Sequence, residues 1–225
     1  TGAVENALNM PSVTAEEAKV MGPWIKLASH LGGFAGQLTD EPIEAINILF
    51  DGNAAELNVA ALTTAVLAGI MKQTNPDANM VSAPVVAKER GIDIATTTQT
   101  KSGIFDGYMK LTVVTPTRER SIAGTVFSDG KPRFIQIKGI NIDAEVGEHM
   151  LYTTNKDVPG IIGTLGGTLG SNGVNIANFT LGRSHQGKDA IALLYLDDQP
   201  PADVLQKLKD TGLFLQVRPL QFDVA

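Results

Sequence analysis

The segment 157–163 (Asp-Val-Pro-Gly-Ile-Ile-Gly), followed by 173–177 (Gly-Val-Asn-Ile-Ala), constrains the fold of this chain more than any other feature. Proline is tolerated in the first turn of a helix, and an aspartate just before it can accept hydrogen bonds from free backbone N–H groups. The pattern predicts a helix that starts near Val158, is capped by Asp157 and ends at Gly173. A strand then starts at Val174, so polar side chains flank both ends of the helix.

The last third of the chain is predicted to form one small domain, covering residues 146–225. Its elements follow the order strand, helix, strand, strand, helix, strand: 146–154, 158–172, 174–184, 188–197, 201–210 and 213–222. This βαββαβ order predicts a ferredoxin-like domain, with an antiparallel sheet and both helices on one face. Its open sheet edges favour dimerisation.

The preceding residues, 14–145, are predicted to form a larger domain rich in strands. Its expected elements are a helix, a strand, two helices and four strands: 14–31, 42–50, 54–73, 83–90, 92–100, 107–116, 119–128 and 132–138. Residues 1–13 indicate a linker, and because the chain opens on Thr1 instead of Met we expect a longer parent protein. The predicted fold class is therefore α+β, a mixed domain followed by a ferredoxin-like one.

Composition excludes several classes of partner. A net charge of −6 and a pI near 5.0 give no broad cationic surface for nucleic acid. The longest apolar-rich run, 57–71, is shorter than the roughly 20 residues that span a bilayer, so no membrane partner is predicted. The chain has no cysteine, which excludes disulfides and thiol nucleophiles in these 225 residues and is compatible with the cytoplasm, where we expect the protein.

No catalytic residue, metal site or cofactor site is predicted in the chain. His30, His149 and His185 fall in different elements without metal-ligand spacing. No two glycines stand at i and i+2, so the dinucleotide-binding fingerprint is absent, as is the phosphate-binding loop motif. The glycines between 160 and 170 fall within one helix, where we expect them to allow close approach of a second helix.

Three polar residues suggest a site for a small zwitterion: Asn155, Asp157 and Asn175. They flank the helix start and the next strand, where we expect them to face one cavity. The Asp157 carboxylate can pair with an ammonium group, the Asn175 amide can bond either ionic group, and helix-terminal N–H groups can receive a carboxylate. Alternatively, Asp157 is only a helix cap and Asn175 only a turn residue.

Cations collect around the predicted strands of the first domain, at Lys101, Arg118, Arg120, Lys131, Arg133 and Lys138. Lys131 and Arg133 are the candidates for a site that holds an anionic metabolite. Alternatively, these cations form a solvated rim.

At these residues the chain resembles the C-terminal regulatory half of bacterial long-form D-3-phosphoglycerate dehydrogenases. Residues 6–11 resemble the segment that leaves the substrate domain of that family, and 31–38 the helix that follows. Residues 83–84 and 89–92 are similar to its intervening, or allosteric substrate-binding, domain, and 157–160 with 173–176 to its ACT domain.

The resemblance implies specific site residues. The family binds L-serine as a feedback inhibitor at the ACT domain, and its serine-contacting positions fall on Asn155, Asp157 and Asn175, with Gly160 and Ile161 at the helix start. One intervening-domain position where some relatives carry a cation is Glu145 here, so an anion site shared with them is not implied.

The resemblance also implies a parent enzyme that oxidises 3-phosphoglycerate with NAD in the first step of L-serine synthesis. The chain itself lacks the nucleotide-binding and catalytic domains of that family and is expected to be inactive alone. We expect a homo-oligomer, a dimer or tetramer formed through the ACT and intervening domains. Two alternatives are a ligand-free ACT assembly element and the regulatory portion of an iron-sulfur L-serine dehydratase.

Overall fold

The computed structural model describes residues 15–100 and 103–224, with side chains from residue 19 onward. The predicted linker at 1–13 and the cation Lys101 lie outside this part of the chain. Contacts divide the chain into two compact units, which meet in sequence between Lys138 and Gly139. The sequence placed this division between 145 and 146.

The first unit contains three α-helices, a short 3-10 helix and five strands. They are α1 Ala15–Gln37, β1 Ala45–Gly52, the 3-10 helix Asn53–Glu56, α2 Val59–Met71, α3 Ala83–Glu89, β2 Asp93–Gln99, β3 Gly107–Val114, β4 Glu119–Val126 and β5 Pro132–Ile137. The α2 helix starts later than predicted, because Asn58 serves as its N-cap and accepts a hydrogen bond from the Ala61 N–H at 3.1 Å.

The five strands of this unit follow the order β2-β1-β3-β4-β5. The β1 strand pairs with β2 in parallel and with β3 antiparallel, so the sheet is mixed. A parallel pair requires a crossover connection, and α2 and α3 supply it. The β2 strand is therefore an edge strand.

Helices α1 and α2 pack unusually closely because glycines line their contact. A Cβ atom added at Gly32 would overlap Val66 O, one at Gly69 would overlap Ser29 O, and one at Gly36 would lie 2.8 Å from Ile70 O. Glycine at these positions lets the two backbones meet without side chains between them.

The second unit contains five strands and two helices: β6 Ile140–Glu145, β7 His149–Lys156, α4 Ile161–Ser171, β8 Ile176–Arg183, β9 Asp189–Leu196, α5 Ala202–Asp210 and β10 Phe214–Gln221. Four of the strands form a sheet in the order β10-β7-β9-β8, with antiparallel neighbours. The βαββαβ order from β7 to β10 and the α+β class are confirmed.

The β6 strand was not predicted, and its packing explains the position of the unit boundary. It lies against β8: the Thr180 hydroxyl donates to Asp143 O at 3.0 Å, and a Cβ at Gly182 would meet Asn141 O at 2.7 Å. Residues 140–145 therefore belong to the second unit.

Both helices of the second unit pack on the same face of the sheet, as predicted. Their apolar residues share one core with inward-facing residues of the strands: Leu151, Ile161, Leu165, Leu169, Val174, Ala192, Leu194, Leu196, Val204, Leu208 and Val217. Removing these side chains from water is the main force that holds the unit together.

Candidate functional site

The loop after β7 is built around the Asp157 carboxylate. Its Oδ2 accepts from Arg183 Nη1 at 3.0 Å and from the Gly187 N–H at 3.1 Å. These hydrogen bonds, led by that from Gly187, hold the pKa of Asp157 below its ordinary value. Gly187 has a φ of 70°, which suits glycine, so the β8–β9 turn can present its N–H to the carboxylate.

The predicted cap of α4 by Asp157 is wrong. The helix starts at Ile161, and Gly160 occupies the N-cap position with a φ of 95° and no side-chain hydrogen bond. Asp157 is engaged by the β8–β9 hairpin instead. The α4 N-terminus therefore presents backbone N–H groups without a side-chain cap, and such a helix end attracts a carboxylate.

Asn155 is buried beside this helix start. Its side chain is 1 % exposed, and its Nδ2 donates to Lys156 O at 2.7 Å. Within the described part of the chain its Oδ1 has no hydrogen-bond partner, and neither has the Thr153 hydroxyl, two residues earlier on the same side of β7. Leu151, on the same side, packs in the core beneath α4 and α5. Two buried polar atoms thus lie between the sheet and the helices.

Asn175 lies at the other end of α4. Its Nδ2 donates to Asp197 Oδ2 at 2.7 Å, and its carbonyl accepts from the Asp197 N–H at 3.2 Å. It precedes Ile176, which pairs with Leu196, whereas Asp157 is bonded to Arg183 at the opposite end of β8.

The expectation that Asp157 and Asn175 face one cavity is therefore wrong for a single copy of the chain. Ile176 and Arg183 are seven steps apart along β8, a distance of roughly 23 Å at about 3.3 Å per residue. The cause is topological: α4 returns antiparallel to β7, so β8 starts at the end of the sheet where β7 also starts.

The predicted anion-binding pair lies in the β4–β5 hairpin. The Arg133 guanidinium lies 4.8 Å from the centre of the Phe127 ring, and its Nη2 is 3.7 Å from Asp129 Oδ2. The Lys131 N–H donates to the same carboxylate at 2.9 Å. These contacts hold the Arg133 side chain within the hairpin, whereas the Lys131 contact is made by its backbone N–H.

The remaining predicted cations of β4 lie at its opposite end. Arg118 is paired with Glu41 at 3.1 Å, and Arg120 is buried and donates to Leu38 O. Hydrogen bonds from Thr117 and Thr115, with the charge of Arg118, hold the pKa of Glu41 below its ordinary value. The cations thus form two separate groups along β4 and do not form one anion site.

Metal-binding clusters and membrane-spanning helices are both absent from the described residues. No group of three or more His, Cys, Asp or Glu side chains there is arranged to hold a metal ion. None of the helices in that part of the chain is both long and apolar enough to cross a bilayer.

Three contact residues of this site were not predicted from the sequence. They are Arg183 and Gly187, which bind Asp157, and Asp197, which binds Asn175. The predicted β8–β9 hairpin was a signal for the first two, because it returns the chain to the end of β7. The same hairpin was also a signal for Asp197, because antiparallel pairing of the two strands brings their outer ends, Asn175 and Asp197, together.

Comparison with known proteins identifies both units. Residues 20–138 match the D-3-phosphoglycerate dehydrogenase intervening domain, and residues 149–212 match the ACT domain. The first match covers more than half of the chain. The chain belongs to the D-3-phosphoglycerate dehydrogenase intervening-domain family.

Relatives with the same pair of domains carry the name D-3-phosphoglycerate dehydrogenase. The protein from Synechocystis is 34% identical over 90% of this chain and 37% of its own length. The proteins from Bacillus subtilis and Methanocaldococcus jannaschii are each 29% identical, over 96% and 92% of this chain and 41% and 39% of their own lengths. The chain thus spans about two fifths of these relatives and corresponds to the regulatory part of such dehydrogenases, as the resemblance implied.

Proposed function

We propose that this chain is the effector-binding and assembly part of a D-3-phosphoglycerate dehydrogenase, and that its ACT domain binds L-serine between two copies of the chain. The parent enzyme oxidises 3-phosphoglycerate with NAD, and serine is the end product of the sequence that this reaction starts. The names of the relatives support the parent activity. The observation that carries the binding proposal is the uncapped α4 N-terminus beside Asp157 and the buried Asn155 Oδ1.

Pairing of two copies along β8 completes the site. The β8 strand is the last in the sheet order, so its outer edge can accept a second strand. Two β8 strands related by a twofold axis run in opposite directions, and Ile176 of one copy then lies near Arg183 of the other. This arrangement brings Asn175 of one copy next to the Asp157 loop of its partner. Within one copy the same two residues are separated by roughly 23 Å.

The chemistry of this composite site fits a small amino acid with a polar side chain. The ligand ammonium pairs with the Asp157 carboxylate, and the ligand carboxylate lies against the N–H groups of Gly160 and Ile161 at the start of α4. The amide of Asn155 is bonded through Nδ2, so its Oδ1 accepts from a donor on the ligand. Asn175 of the second copy binds the remaining polar group.

Serine binding at such an interface stabilises one arrangement of the paired ACT domains. The intervening domain then transmits that preference to the catalytic part of the parent enzyme. Coupling between sites of this kind is typically about 1 to 3 kcal/mol.

Calorimetric titration of the chain with L-serine tests the proposal, with D-serine and glycine as comparison ligands. We expect L-serine to bind, and Asp157→Ala and Asn175→Ala each to abolish the heat. A matched control is Asp203→Ala, which removes an exposed aspartate from α5, 3.1 Å from Lys207 and remote from this loop in sequence. Absence of heat from the unsubstituted chain at millimolar L-serine would contradict the proposal.

Mixing the two variants tests whether one site takes residues from both copies. A heterodimer of Asp157→Ala and Asn175→Ala chains has one intact site and one doubly altered site. After random exchange of subunits, half of the dimers are heterodimers, so about one quarter of all sites should bind L-serine. A site built within single copies predicts no recovery at any mixing ratio.

One observation favours a second function, that of an assembly element without a ligand. Asp157 already accepts two hydrogen bonds, and Asn175 is already bonded to Asp197. In this alternative, oligomerisation is unchanged by L-serine, and Asn175→Ala leaves the serine response of the parent enzyme intact. Sedimentation with and without L-serine distinguishes the two functions.

We also expect the chain alone to have no NAD-dependent turnover of 3-phosphoglycerate, which a direct assay of the purified chain measures. The alternative of a dehydratase regulatory portion gains no support from these relatives, which are named as dehydrogenases.

A further inference from the structure

A concave pocket lies beside the ends of α1 and α2 in the first unit. Its volume is about 530 Å³, within the roughly 300 to 1,000 Å³ of pockets that hold small molecules. The residues that line it fall between 36 and 92, so the pocket is formed within one unit of one chain. None of the residues proposed to bind L-serine contributes to it.

Four of the lining residues are large and apolar. Ile70 and Met71, from the last turn of α2, are buried, as is Ile92 just before β2. Ile43, in the segment before β1, is half-buried. A hydrocarbon group that covers these side chains removes apolar surface from water, which favours binding.

Of the described residues that line the pocket, only Arg90, just after α3, is a cation. Its Nη1 donates to Thr74 Oγ1 at 2.8 Å and lies 3.8 Å from Met71 Sδ. The Thr74 hydroxyl donates in turn to Met71 O at 3.3 Å, which ties it to the end of α2. Among the described residues no carboxylate is paired with this guanidinium, and its Nη2 and Nε bond to none of them. The guanidinium is thus held in place with donors available for a planar anion.

Two acidic residues at the pocket, Asp40 and Glu41, limit the charge of a ligand. Glu41 is already paired, since it accepts from the Thr117 hydroxyl at 2.7 Å and lies 3.1 Å from Arg118 Nη2. Asp40 is exposed at the pocket. Its negative charge disfavours ligands that carry two or more negative charges, such as a phosphorylated hydroxy acid.

We propose that this pocket binds a small carboxylate with an apolar body, the size of a branched-chain or aromatic acid. The carboxylate forms two parallel hydrogen bonds with Arg90, and the apolar body covers Ile43, Met71 and Ile92. An amino acid with such a side chain shares this chemistry and adds an ammonium group that pairs with Asp40. The site lies in the intervening domain and is independent of L-serine, so it goes beyond the effector site proposed for the ACT domain.

Calorimetric titration of the whole chain with two pairs of probes tests the proposal. The pairs are 4-methylpentanoate with L-leucine and 3-phenylpropanoate with L-phenylalanine, and the members of each pair differ only by the ammonium group. We expect at least one pair to bind, and the tighter member of that pair identifies the source of the carboxylate. Absence of heat from all four probes at millimolar concentration would overturn the proposal. So would binding of 3-phosphoglycerate at this pocket as tight as that of the probes.

Substitution of the guanidinium tests the assigned residue. Arg90→Met removes the charge and keeps an unbranched side chain, and we expect the affinity for the probes to fall by about tenfold or more. The matched control is Lys88→Met, which removes one positive charge from an exposed residue of α3 that does not line the pocket. Equal losses in the two variants would assign the effect to overall charge and overturn the site.

Thr74 is a positioning residue in this site, because its hydroxyl holds the Arg90 guanidinium. Thr74→Val removes the hydroxyl and should weaken probe binding by about threefold, whereas Thr74→Ser keeps it and should bind like the unsubstituted chain. The two variants measure the same side-chain position with and without the acceptor. Equal affinities of the valine and serine variants would contradict the positioning role.

Crossed titrations separate this site from the proposed serine site. We expect Arg90→Met to keep the heat of L-serine binding and Asp157→Ala to keep the heat of probe binding. A failure of either proposal therefore leaves the other measurable. Direct competition between L-serine and the probes in the unsubstituted chain would overturn the inference of a second site.

Discussion

The glycines of the two units have opposite surroundings, although both sets lie in helices. In the first unit, Gly32 and Gly69 have no space beside them, because an added Cβ would overlap the backbone of the facing helix. In the second unit, a Cβ at Gly163, Gly167 or Gly170 would meet no described atom within 4 Å. The predicted role of the α4 glycines in close helix packing is therefore wrong within one chain, and that role belongs to the α1–α2 contact.

Buried hydroxyl groups show a similar contrast. Thr125 in the first unit donates to Gly107 O at 2.5 Å, whereas Thr153 in the second has no partner in the described part of the chain. Ile162 on α4 is also 56% exposed, next to these open glycines. At these positions the first unit pairs its own buried hydroxyl and packs against its own glycines. The α4 region of the second unit instead leaves surfaces that a ligand or a second copy can cover. The difference separates residues that maintain the fold from residues available for binding.

The largest expected effect on stability comes from adding a methyl group at a glycine that has no space beside it. Gly32→Ala forces a methyl group into Val66 O, and because backbone faces backbone no side chain can move aside. We expect the free energy of unfolding to fall by about 3 kcal/mol. Chemical denaturation followed by circular dichroism measures the change.

The matched control is Gly167→Ala on α4. Open space surrounds this position, and alanine favours a helix over glycine by about 0.5 to 1 kcal/mol. We expect the chain to be slightly more stable. A loss as large as that of Gly32→Ala would show that the α4 face is covered and that the comparison fails.

A pair of threonine substitutions should have effects of intermediate size. Thr125→Val removes a bonded hydroxyl that is 3% exposed and should lower the free energy of unfolding by about 1 to 2 kcal/mol. Thr153→Val removes a fully buried hydroxyl that has no partner among the described residues, and should be neutral or stabilising by up to about 1 kcal/mol. Equal losses in the two variants would mean that Thr153 is bonded in solution.

The smallest expected effect is the pH dependence of Asp157. Its pKa is lower in the folded chain than its ordinary value, chiefly because the Gly187 N–H and Arg183 donate to the ionised form. This contribution is therefore present above the unfolded pKa, about 3.9, and is lost as the pH falls through the folded pKa. Asp157→Asn should lower the thermal midpoint at neutral pH, and the difference from the unsubstituted chain should shrink on acidification. A pH-independent difference would assign the effect to packing.

Local pattern predicted most of the fold. The period of apolar residues and the turns at Pro159, Gly173 and 184–188 gave the order of elements from β7 to β10, because helix and strand periods depend only on nearby residues. Element ends were less accurate: α4 starts at Ile161 because Gly160 takes a left-handed conformation. The β6 strand was missed, although Ile140, Ile142 and Ala144 alternate with polar residues as in a half-buried strand.

The candidate site was only partly predictable. Asn155, Asp157 and Asn175 were selected because their side chains can bind a zwitterion, which is a property of residue type. Their contacts were not predicted: Arg183 lies at the end of β8 beside the Asp157 loop, and Asp197 lies next to Asn175 where the outer ends of β8 and β9 pair.

The sequence alone therefore determined most of the elements, the α+β class and the polar residues beside α4, because propensity, periodicity and side-chain chemistry are local properties. Which of these residues meet was set by the folded structure. It placed Asp157 and Asn175 at opposite ends of β8 and packed the glycines of α1 and α2 against the facing helix backbone. It left space beside the glycines of α4 and left β2 exposed at the edge of its sheet. These outcomes depend on strand order and helix direction, which long-range packing fixes.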